Sequence, residues 1–596
     1  MSSSSLPMAI ENQSSCFEWQ KSPNGIWERD IDECETFYRL SSRPGSGCYP
    51  VTACASFTIA LPDAATAANE TDDEIDVEDA FRKAWMTLCH RHPTLRSLIE
   101  HDENSGRRKR VYSTLKDKDE EQDWVSSTFK VVDVDIAPLQ WFNNDSTNFE
   151  TSTLFLVRSK DETRCDQTVF LRCPHDVTDG VGVLQLVDQL FGHAAKAYEQ
   201  GAKYVSPEWG NEHERLSPCL RVAATIPESF SDDQTKHFKE IQTRNGTVYS
   251  HAGLLSLPSS SGVVASEQGK RHRFPLVVPK DTTERILRSC KTIAPGVSVT
   301  HVFMSALAQA LSQLQPQKEA SYPVRYVNHS MINLRPYCRD PYSNPEHAAA
   351  AYHTVSAEAL GLDLVVPGTS ANAKIEEKTN DFARIAAEVR DYYKTVRPVS
   401  SIDDQITLAP LMFKSLTPPS GSNPHAVSDS PFCPVALSSI GNVSSTVNPT
   451  HGSFRITNIW AASEPIGAGV ALFLGTWNGQ IELSGVFDTR YHDATYIEKF
   501  LGRVVDCVCK GLGIDEHVTL SQAAPVGITE NKKRKRDENE LHLSNNEDGS
   551  SQRPNKSPVR SALQERPALG NVQRQSAKKV EGNSVNGRHG EKARDV

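Results

Sequence analysis

One histidine in the sequence lies at a place suited to proton transfer. His175 is followed by Asp179 and Gly180 in the pattern His-x-x-x-Asp-Gly. A neutral imidazole, with an ordinary pKa of about 6.5, accepts a proton from an alcohol at physiological pH. Such a base needs a fixed ring direction, which a turn supplies, and Gly180 is expected to allow a backbone geometry that other residues disfavour. The spacing predicts a general base at His175, with Asp179 holding the turn by an ion pair or local hydrogen bonds.

Simpler interpretations of these residues stay open. His175 also fits a structural histidine or a metal ligand, but a metal site needs further ligands at a spacing such as His-Glu-x-x-His, which the sequence lacks. We therefore predict no metal. Asp179 is interpreted as structural rather than catalytic, and Asp176 as a solvated turn residue.

The chain changes from strand-like to helix-like around His175. Apolar and β-branched residues dominate 168–173, as expected of a buried strand. After Gly180 the apolar residues recur at helical spacing, at Val183, Leu184, Val187, Leu190 and Phe191. His175 is thus predicted where a strand ends and a turn begins, a place where scaffolds often present catalytic groups.

The remaining sequence up to about residue 520 has mixed α/β character. Helices are predicted within 75–100 and 296–314, and Asn478-Gly479 is predicted to close a β-hairpin. We expect an α/β fold of mixed sheets, without internal repeats.

The length of 596 residues indicates two large units plus tails. A polar, Ser-rich stretch near the middle is interpreted as the connection between the units. The predicted organisation is a flexible N-terminus (1–24), an N-terminal domain carrying His175 (25–225), a linker (226–268), a C-terminal domain (269–520) and a disordered basic tail (521–596).

Composition argues against several classes of protein. No apolar run approaches the roughly 20 residues that cross a bilayer, and the N-terminus lacks the regions of a signal peptide. Thirteen cysteines without a Cys-x-x-Cys pair fit reduced thiols better than disulfides or zinc. The net charge of -11 does not favour nucleic-acid binding by the folded body. We expect a cytoplasmic monomer without a membrane partner.

The tail from Ser521 differs from the rest of the chain. It holds 15 Lys and Arg against 10 Asp and Glu, and it has no aromatic residue. So few apolar groups do not offset the entropy of ordering, and the tail is predicted to be disordered. The basic run Lys532–Arg536 resembles a nuclear-localisation patch, although it also fits a solvated run of charge.

Several segments together resemble the CoA-dependent acyltransferases related to chloramphenicol acetyltransferase. This superfamily includes plant BAHD acyltransferases, peptide-synthetase condensation domains and fungal O-acetyltransferases. Enzymes of the trichothecene 15-O-acetyltransferase type look most similar, because the resemblance spans most of residues 25–515. The segments are HRHPTLRSLIE, PHDVTDGVGVLQLVDQLF, VSVTHVFMSALAQAL, NHSMINLRPY, ALSSIGNVS and FLGTWNGQIELSGVFDTRY.

The resemblance implies two chloramphenicol-acetyltransferase-like domains with a tunnel at their interface. It implies that His175 takes the proton of the acceptor hydroxyl, and that the acyl group passes directly from acyl-CoA in a ternary complex. Asp179, with Gly180, would support the site and pair with an arginine of the second domain. Arg335 in Asn-Leu-Arg-Pro is the candidate, although it also fits an ordinary surface arginine.

The resemblance also extends to a segment at residues 438–442, which is similar to the loop that lines the tunnel opposite the histidine. A hydroxyl there, from Ser438 or Ser439, would help to stabilise a tetrahedral oxyanion. Both serines also fit ordinary loop residues.

Two departures from the superfamily narrow the predicted function. Condensation domains usually carry a second histidine where this chain has Pro174, and the plant Asp-Phe-Gly-Trp-Gly signature is absent. The prediction is an O-acyltransferase, most simply an O-acetyltransferase, acting on a hydroxyl of a fungal secondary metabolite such as a terpenoid. Acetyl-CoA or another acyl-CoA would be a co-substrate, with no tightly bound cofactor.

Two alternatives to this function stay open, namely carrier-dependent condensation and a non-catalytic scaffold with a nuclear tail. A serine hydrolase is disfavoured because the sequence has no Gly-x-Ser-x-Gly. Dinucleotide binding is disfavoured because IGAGVALFLG holds only the first two glycines of that motif.

Overall fold

The computed structural model of the protein describes residues 16–60, 76–102, 106–144, 149–160, 166–259, 269–370, 380–426 and 432–514. All of them belong to one unit that extends to Ile528, and the other unit, Thr529–Val596, lies outside the described residues. The predicted disordered tail, with its basic run, also lies outside them, as does most of the predicted flexible N-terminus.

The described part of the chain alternates helices and strands, as the sequence predicts. The α-helices are α1 Glu33–Leu40, α2 Val77–Arg91, α3 Lys118–Thr128, α4 Pro138–Asn144, α5 Gly180–Gln200, α6 Leu220–Ala223, α7 Asp232–Tyr249, α8 Lys280–Ile293, α9 Val299–Gln313, α10 Phe382–Val396, α11 Asp404–Thr407, α12 Ala409–Leu416 and α13 Ala494–Gly511. The strands are β1 Gln20–Lys21, β2 Trp27–Asp30, β3 Pro50–Ile59, β4 Leu98–His101, β5 Arg108–Tyr112, β6 Phe129–Val134, β7 Thr153–Ser159, β8 Asp166–Pro174, β9 Arg271–Val277, β10 Tyr322–Asn328, β11 Met331–Asn333, β12 His353–Val355, β13 Leu360–Val366, β14 Val435–Asn442, β15 Thr450–His451, β16 Phe454–Ser463, β17 Val470–Trp477 and β18 Gln480–Asp488.

A six-stranded mixed sheet carries the His175 segment. Its order is β15-β16-β3-β8-β7-β6, with β6 and β7 parallel and the other neighbours antiparallel. Helices α2 and α5 contribute to the core beside this sheet. The ring of Phe57 on β3 lies 5.2 Å from those of Phe81 on α2 and Phe191 on α5. The apolar stripe of α5, visible in the sequence, is thus buried in this core.

A second sheet of four strands has the order β14-β17-β18-β9 and is also mixed. Helices α9 and α13 contribute to its core. The hairpin predicted at Asn478-Gly479 is confirmed, because these residues join β17 to β18 with φ angles of 46° and 77°. Positive φ at both turn residues is what a two-residue hairpin favours.

Smaller sheets complete the described fold. Strands β1, β2, β5 and β4 form an antiparallel sheet in that order, and β10 with β13 and β11 with β12 form antiparallel pairs. The predicted α/β fold with mixed sheets is therefore confirmed.

Two features bear on the predicted domain boundaries. Strand β16 belongs to the last third of the chain, yet it pairs with β3 of the first sheet, Trp460 opposite Cys54. The predicted linker 226–268 contains helix α7, whose Ile241 and Asn245 are buried. The boundaries themselves stay a prediction.

Candidate active site

The His175 turn is fixed from both of its ends. Strand β8 ends at Pro174, and the backbone N–H of His175 donates to the carbonyl of Tyr49 over 2.7 Å. At the other end Asp179 is the N-cap of α5, and its Oδ1 accepts from the N–H groups of Val181 (3.1 Å) and Gly182 (2.8 Å). Aspartate is a favoured N-cap because its carboxylate satisfies N–H groups without a helical partner. The sequence therefore folds this turn locally.

The second carboxylate oxygen of Asp179 binds Arg335, the ion-pair partner that the resemblance implies. Nη2 of Arg335 lies 3.0 Å from Oδ2 of Asp179, and the N–H of Tyr352 donates to the same oxygen over 2.8 Å. Both charged side chains are buried. Burial raises the pKa of Asp179, but the Arg335 guanidinium and the hydrogen bonds that the carboxylate accepts, among them that from the N–H of Gly182, together outweigh this and hold the pKa below its ordinary value. Asp179 is thus ionised and fully engaged by protein donors.

The prediction that Gly180 allows a backbone geometry disfavoured by other residues is wrong. Gly180 is the first residue of α5 and does not have a left-handed backbone, and among the described residues an added Cβ would meet only Ile440, at 3.5 Å. The glycine that sterics require is Gly182. A Cβ there would come within 2.5 Å of Nη2 of Arg335 and within 2.4 Å of the Ala348 carbonyl. Gly182 therefore allows α5 to approach the arginine segment closely.

The imidazole of His175 is stacked on an aromatic ring that sequence analysis missed. The ring of Tyr38 on α1 lies 4.0 Å from it, with 6° between the planes. The hydroxyl of Tyr38 lies 2.6 Å from Nε2 of His353, at the start of β12. No local pattern marks either residue, because three distant segments bring them together. The stack and the hydrogen bond fix the plane of the candidate base.

Burial governs the protonation of both histidines. His175 is mostly buried, with 7% of the residue exposed. Burial lowers the pKa of His175, and the carboxylates of Asp179 and Asp176 only partly oppose this. Burial lowers the pKa of His353 further, to about 3. Both rings are therefore neutral at physiological pH, as a proton acceptor at His175 must be.

A cavity of about 290 Å³ adjoins the imidazole, and we call it the His175 cavity. Strands β14, β16 and β17 supply one part of its lining, while α1, the His175 turn, β11 and β12 supply another. It is lined mainly by aromatic and aliphatic side chains, among them Phe37, Tyr38, Tyr49, Val51, Ile440 and Phe473. A space of this kind is typical of a small-molecule site.

The two candidate serines also line the His175 cavity, but they lie on a strand rather than on a loop. Ser438 and Ser439 belong to β14, which pairs with β17 and has an irregularity between Ser439 and Gly441. Oγ of Ser439 lies 2.8 Å from Oγ1 of Thr300, near the start of α9. Ser438 is half-buried and Ser439 exposed.

A network of buried charges anchors the His175 turn. It shows that the interpretation of Asp176 as a solvated turn residue is wrong. This residue is buried, and Nη2 of Arg110 donates to its Oδ1 over 2.7 Å and to its carbonyl over 2.9 Å. Nε of Arg110 also donates to Glu35, which Arg29 binds with two 2.7 Å contacts. Burial raises the pKa of Glu35, but the two arginines outweigh it and lower that pKa to about 2. Asp176 is therefore an ion-paired anchor of the turn.

The described residues contain no group of three or more His, Cys, Asp or Glu side chains placed to hold a metal ion. Among the same residues no helix is long and apolar enough to span a membrane.

Curated relatives of the chain are acetyltransferases. The acetyltransferase pigO of Monascus ruber is 23% identical over 511 residues, which cover 83% of this chain and 98% of the relative. The O-acetyltransferase pigM of the same organism is 22% identical over 519 residues, which cover 83% of this chain and 88% of the relative. No known family profile matches the chain.

A solved structure with a similar fold is TRI3 trichothecene 15-O-acetyltransferase from Fusarium sporotrichioides. It aligns with a TM-score of 0.65 at 13% identity, over 83% of this chain and 98% of that one. The resemblance predicted from the sequence is confirmed by these comparisons. The relatives support an acyltransferase enzyme.

Proposed function

We propose that the protein is an acyl-CoA-dependent O-acyltransferase in which His175 is the general base. The observation that carries the proposal is the neutral imidazole of His175, stacked 4.0 Å from Tyr38 at the edge of a largely apolar cavity. The acetyltransferase relatives support acyl transfer, with acetyl-CoA as the simplest donor. The fungal relatives favour a secondary metabolite as the acceptor alcohol.

The proton is taken by one nitrogen of the ring. Nδ1 of His175 is buried and cannot be reached by a substrate in the cavity, so we assign the base to Nε2. The acceptor O–H gives its proton to Nε2 as its oxygen forms a bond to the thioester carbonyl carbon. The tetrahedral intermediate then breaks its C–S bond, and the imidazolium returns the proton to the leaving CoA sulfur. The products are an ester and free CoA, and the histidine is neutral again.

The rest of the catalysis comes from positioning and from stabilisation of charge. Holding thioester and alcohol together in one ternary complex removes the cost of bringing them into contact. The oxyanion of the intermediate needs a donor, and the hydroxyl of Ser438 or Ser439 is our candidate, a role worth ~3 kcal/mol per donor. Asp179 and Arg335 touch no reacting atom in this scheme and act by holding the turn.

The test compares small molecules from cells that produce the wild-type protein or the His175→Ala variant. Mass spectrometry should detect a compound that carries an acyl group only with the wild-type protein, which identifies donor and acceptor together. The purified variant should lose activity by about 100- to 10,000-fold, the range typical of a general base. Its thermal midpoint should change little, because the ring lines a cavity rather than filling a core.

The matched control is His101→Ala, since His101 is an exposed histidine at the end of β4 that does not line the His175 cavity. It should leave both activity and stability unchanged. Wild-type turnover in the His175→Ala variant would overturn the proposal. Transfer from a carrier-bound thioester but not from acetyl-CoA would instead favour the condensation alternative.

A further inference from the structure

A second cavity, of about 250 Å³, adjoins the His175 cavity, and we call it the Trp460 cavity. Its lining includes Arg273, Trp460, Trp477, Glu482 and Ser484. Ile440, Ala461 and Phe473 line both cavities, so the two are neighbours that share these side chains as a common wall. A substrate that passes these side chains would occupy both cavities.

Three hydrogen-bond donors in the lining of the Trp460 cavity are unused. Nε of Arg273, Nε1 of Trp477 and Oγ of Ser484 are buried, and none has a hydrogen-bond partner among the described residues. The three residues are 2%, 9% and 1% exposed. The arginine and indole groups only donate, and the hydroxyl can donate as well. Buried donors are rarely left unpaired, and all three residues line this one cavity, which indicates a ligand with acceptor oxygens.

The charge of the cavity indicates that this ligand is neutral. Arg273 and Glu482 are its only charged residues in the described lining, and Nη2 of Arg273 binds Oε1 of Glu482. The pair leaves no net charge to attract a carboxylate or phosphate, and Glu482 would repel either. A carbonyl oxygen is a neutral acceptor. It suits a cavity in which the charge of Arg273 is neutralised by Glu482 and the other two donors are uncharged.

The walls of the cavity indicate a flat or apolar body for the same ligand. The guanidinium carbon of Arg273 lies 4.0 Å from the ring centroid of Trp460, which fixes both planar groups. The backbone of Arg273 is also fixed, because its N–H donates to Asn143 over 2.9 Å and its carbonyl accepts from Asn143 over 3.1 Å. Two indole rings and Phe473 complete an aromatic surface around the donors.

We infer that the Trp460 cavity selects substrates that carry a neutral, carbonyl-bearing apolar group, which is hydrogen-bonded by Trp477 and Ser484. This inference rests on the proposed function, since it assigns the group to a substrate of the His175 site. The group belongs either to the acyl chain of the thioester or to the acceptor alcohol. The chemistry that recognises it is the same in both cases.

Isothermal titration calorimetry with matched probe pairs tests this inference. One pair is hexanoyl-CoA and 3-oxohexanoyl-CoA, and the other is 2-(hydroxymethyl)anthracene and 2-(hydroxymethyl)anthraquinone. The members of each pair differ in carbonyl oxygens. All titrations use the His175→Ala protein, so that binding is measured without dependence on the base. Failure of the proposed function would show in turnover, whereas failure of this inference would show only in binding.

We expect the oxygenated member of one pair to bind at least about tenfold more tightly than its partner, since sites built for hydrogen bonding disfavour analogues that leave donors unpaired. A preference in the CoA pair identifies the acyl group as the occupant, and a preference in the anthracene pair identifies the acceptor. The preference should fall about 3- to 10-fold in Trp477→Phe and in Ser484→Ala.

The matched control for these variants is Trp19→Phe, because the Trp19 indole donates to the Ser217 carbonyl and lines neither cavity. It should keep the full preference. Equal binding of both members in both pairs would overturn the inference, as would a preference that Trp477→Phe and Ser484→Ala leave unchanged.

Discussion

The side chains of Asp179 and Arg335 meet at 3.0 Å, although 156 residues separate them in the sequence. Oδ1 caps α5 and also accepts from Nε of Arg335 over 3.4 Å. Oδ2 accepts from Nη2 of Arg335 and from the N–H of Tyr352. The pair therefore ties the turn that carries His175 to a distant part of the fold.

Removing one partner of this pair should be costly. Arg335→Ala leaves the Asp179 carboxylate buried without its counter-ion, so we expect the free energy of unfolding to fall by ~3–5 kcal/mol. Urea denaturation measures the loss. The matched control is Arg158→Ala, which removes solvent-accessible contacts with Asp133, at 2.8 and 3.2 Å, and with Glu78, at 3.5 Å, and it should cost less than ~1 kcal/mol. Equal losses in the two variants would contradict a structural role for the buried pair.

The pH dependence of catalysis should report the neutral state of His175. Burial lowers the pKa of this imidazole below its ordinary value, and only the neutral ring accepts a proton. The value of kcat/KM should therefore rise with pH through the lowered pKa and be level above it. Its acid limb should have a midpoint below about pH 6.5, the ordinary histidine value. Initial rates between about pH 5 and pH 8 measure it. A midpoint clearly above the ordinary value would contradict the assignment.

Local pattern was enough to predict the turn and the hairpin. The apolar, β-branched run before His175 corresponds to β8 and the helical spacing after it to α5, and Asn478-Gly479 has the backbone that its residue types favour. These features depend on residues that are neighbours in the sequence, so local sequence pattern is enough to predict them. The helices predicted within 75–100 and 296–314 are α2 and α9 for the same reason.

Contacts between distant segments could not be predicted in this way. Strand β16 pairs with β3, which is distant in the sequence, and the residues of β16 alone do not predict that partner. Tyr38 and His353 join the site from segments 315 residues apart. Asp176 looked like a solvated turn residue, because an aspartate in a turn usually is one. Its burial depends on Arg110, which approaches from β5.

Replacing Tyr38 separates its stacking from its hydrogen bond. Tyr38→Phe keeps a ring against His175 and loses only the hydroxyl that lies 2.6 Å from Nε2 of His353. Tyr38→Leu loses both. Because aromatic pairs are worth about 0.5–1.5 kcal/mol, kcat of the Leu variant should be about 2- to 10-fold below that of the Phe variant. Steady-state kinetics measures kcat, and thermal midpoints show whether a lower kcat comes from reduced stability rather than from a misaligned His175 ring. A Leu variant as active as the Phe variant would show that stacking does not align the base.

A histidine that does not line the His175 cavity should contribute to acid sensitivity. His492 is fully buried, and neither ring nitrogen has a hydrogen-bond partner among the described residues. Burial lowers its pKa to about 4, although Asp493 and Asp488 oppose this. In the unfolded chain the ordinary pKa of about 6.5 applies. Between these two values the unfolded state binds the proton and the folded state does not, so stability falls as the pH falls through that window. The loss amounts to about 3 kcal/mol at its acid end, at about 1.4 kcal/mol for each pH unit.

His492→Phe should therefore narrow the difference in stability between about pH 7 and about pH 4.5 by 2–3 kcal/mol. Urea denaturation at both pH values measures the free energy of unfolding. Because only the change between the two pH values is compared, any pH-independent cost of fitting the larger Phe ring cancels. His101→Gln, at an exposed site, should leave the difference unchanged. If His492→Phe changed stability by the same amount at both pH values, the buried imidazole would not be a source of the acid sensitivity.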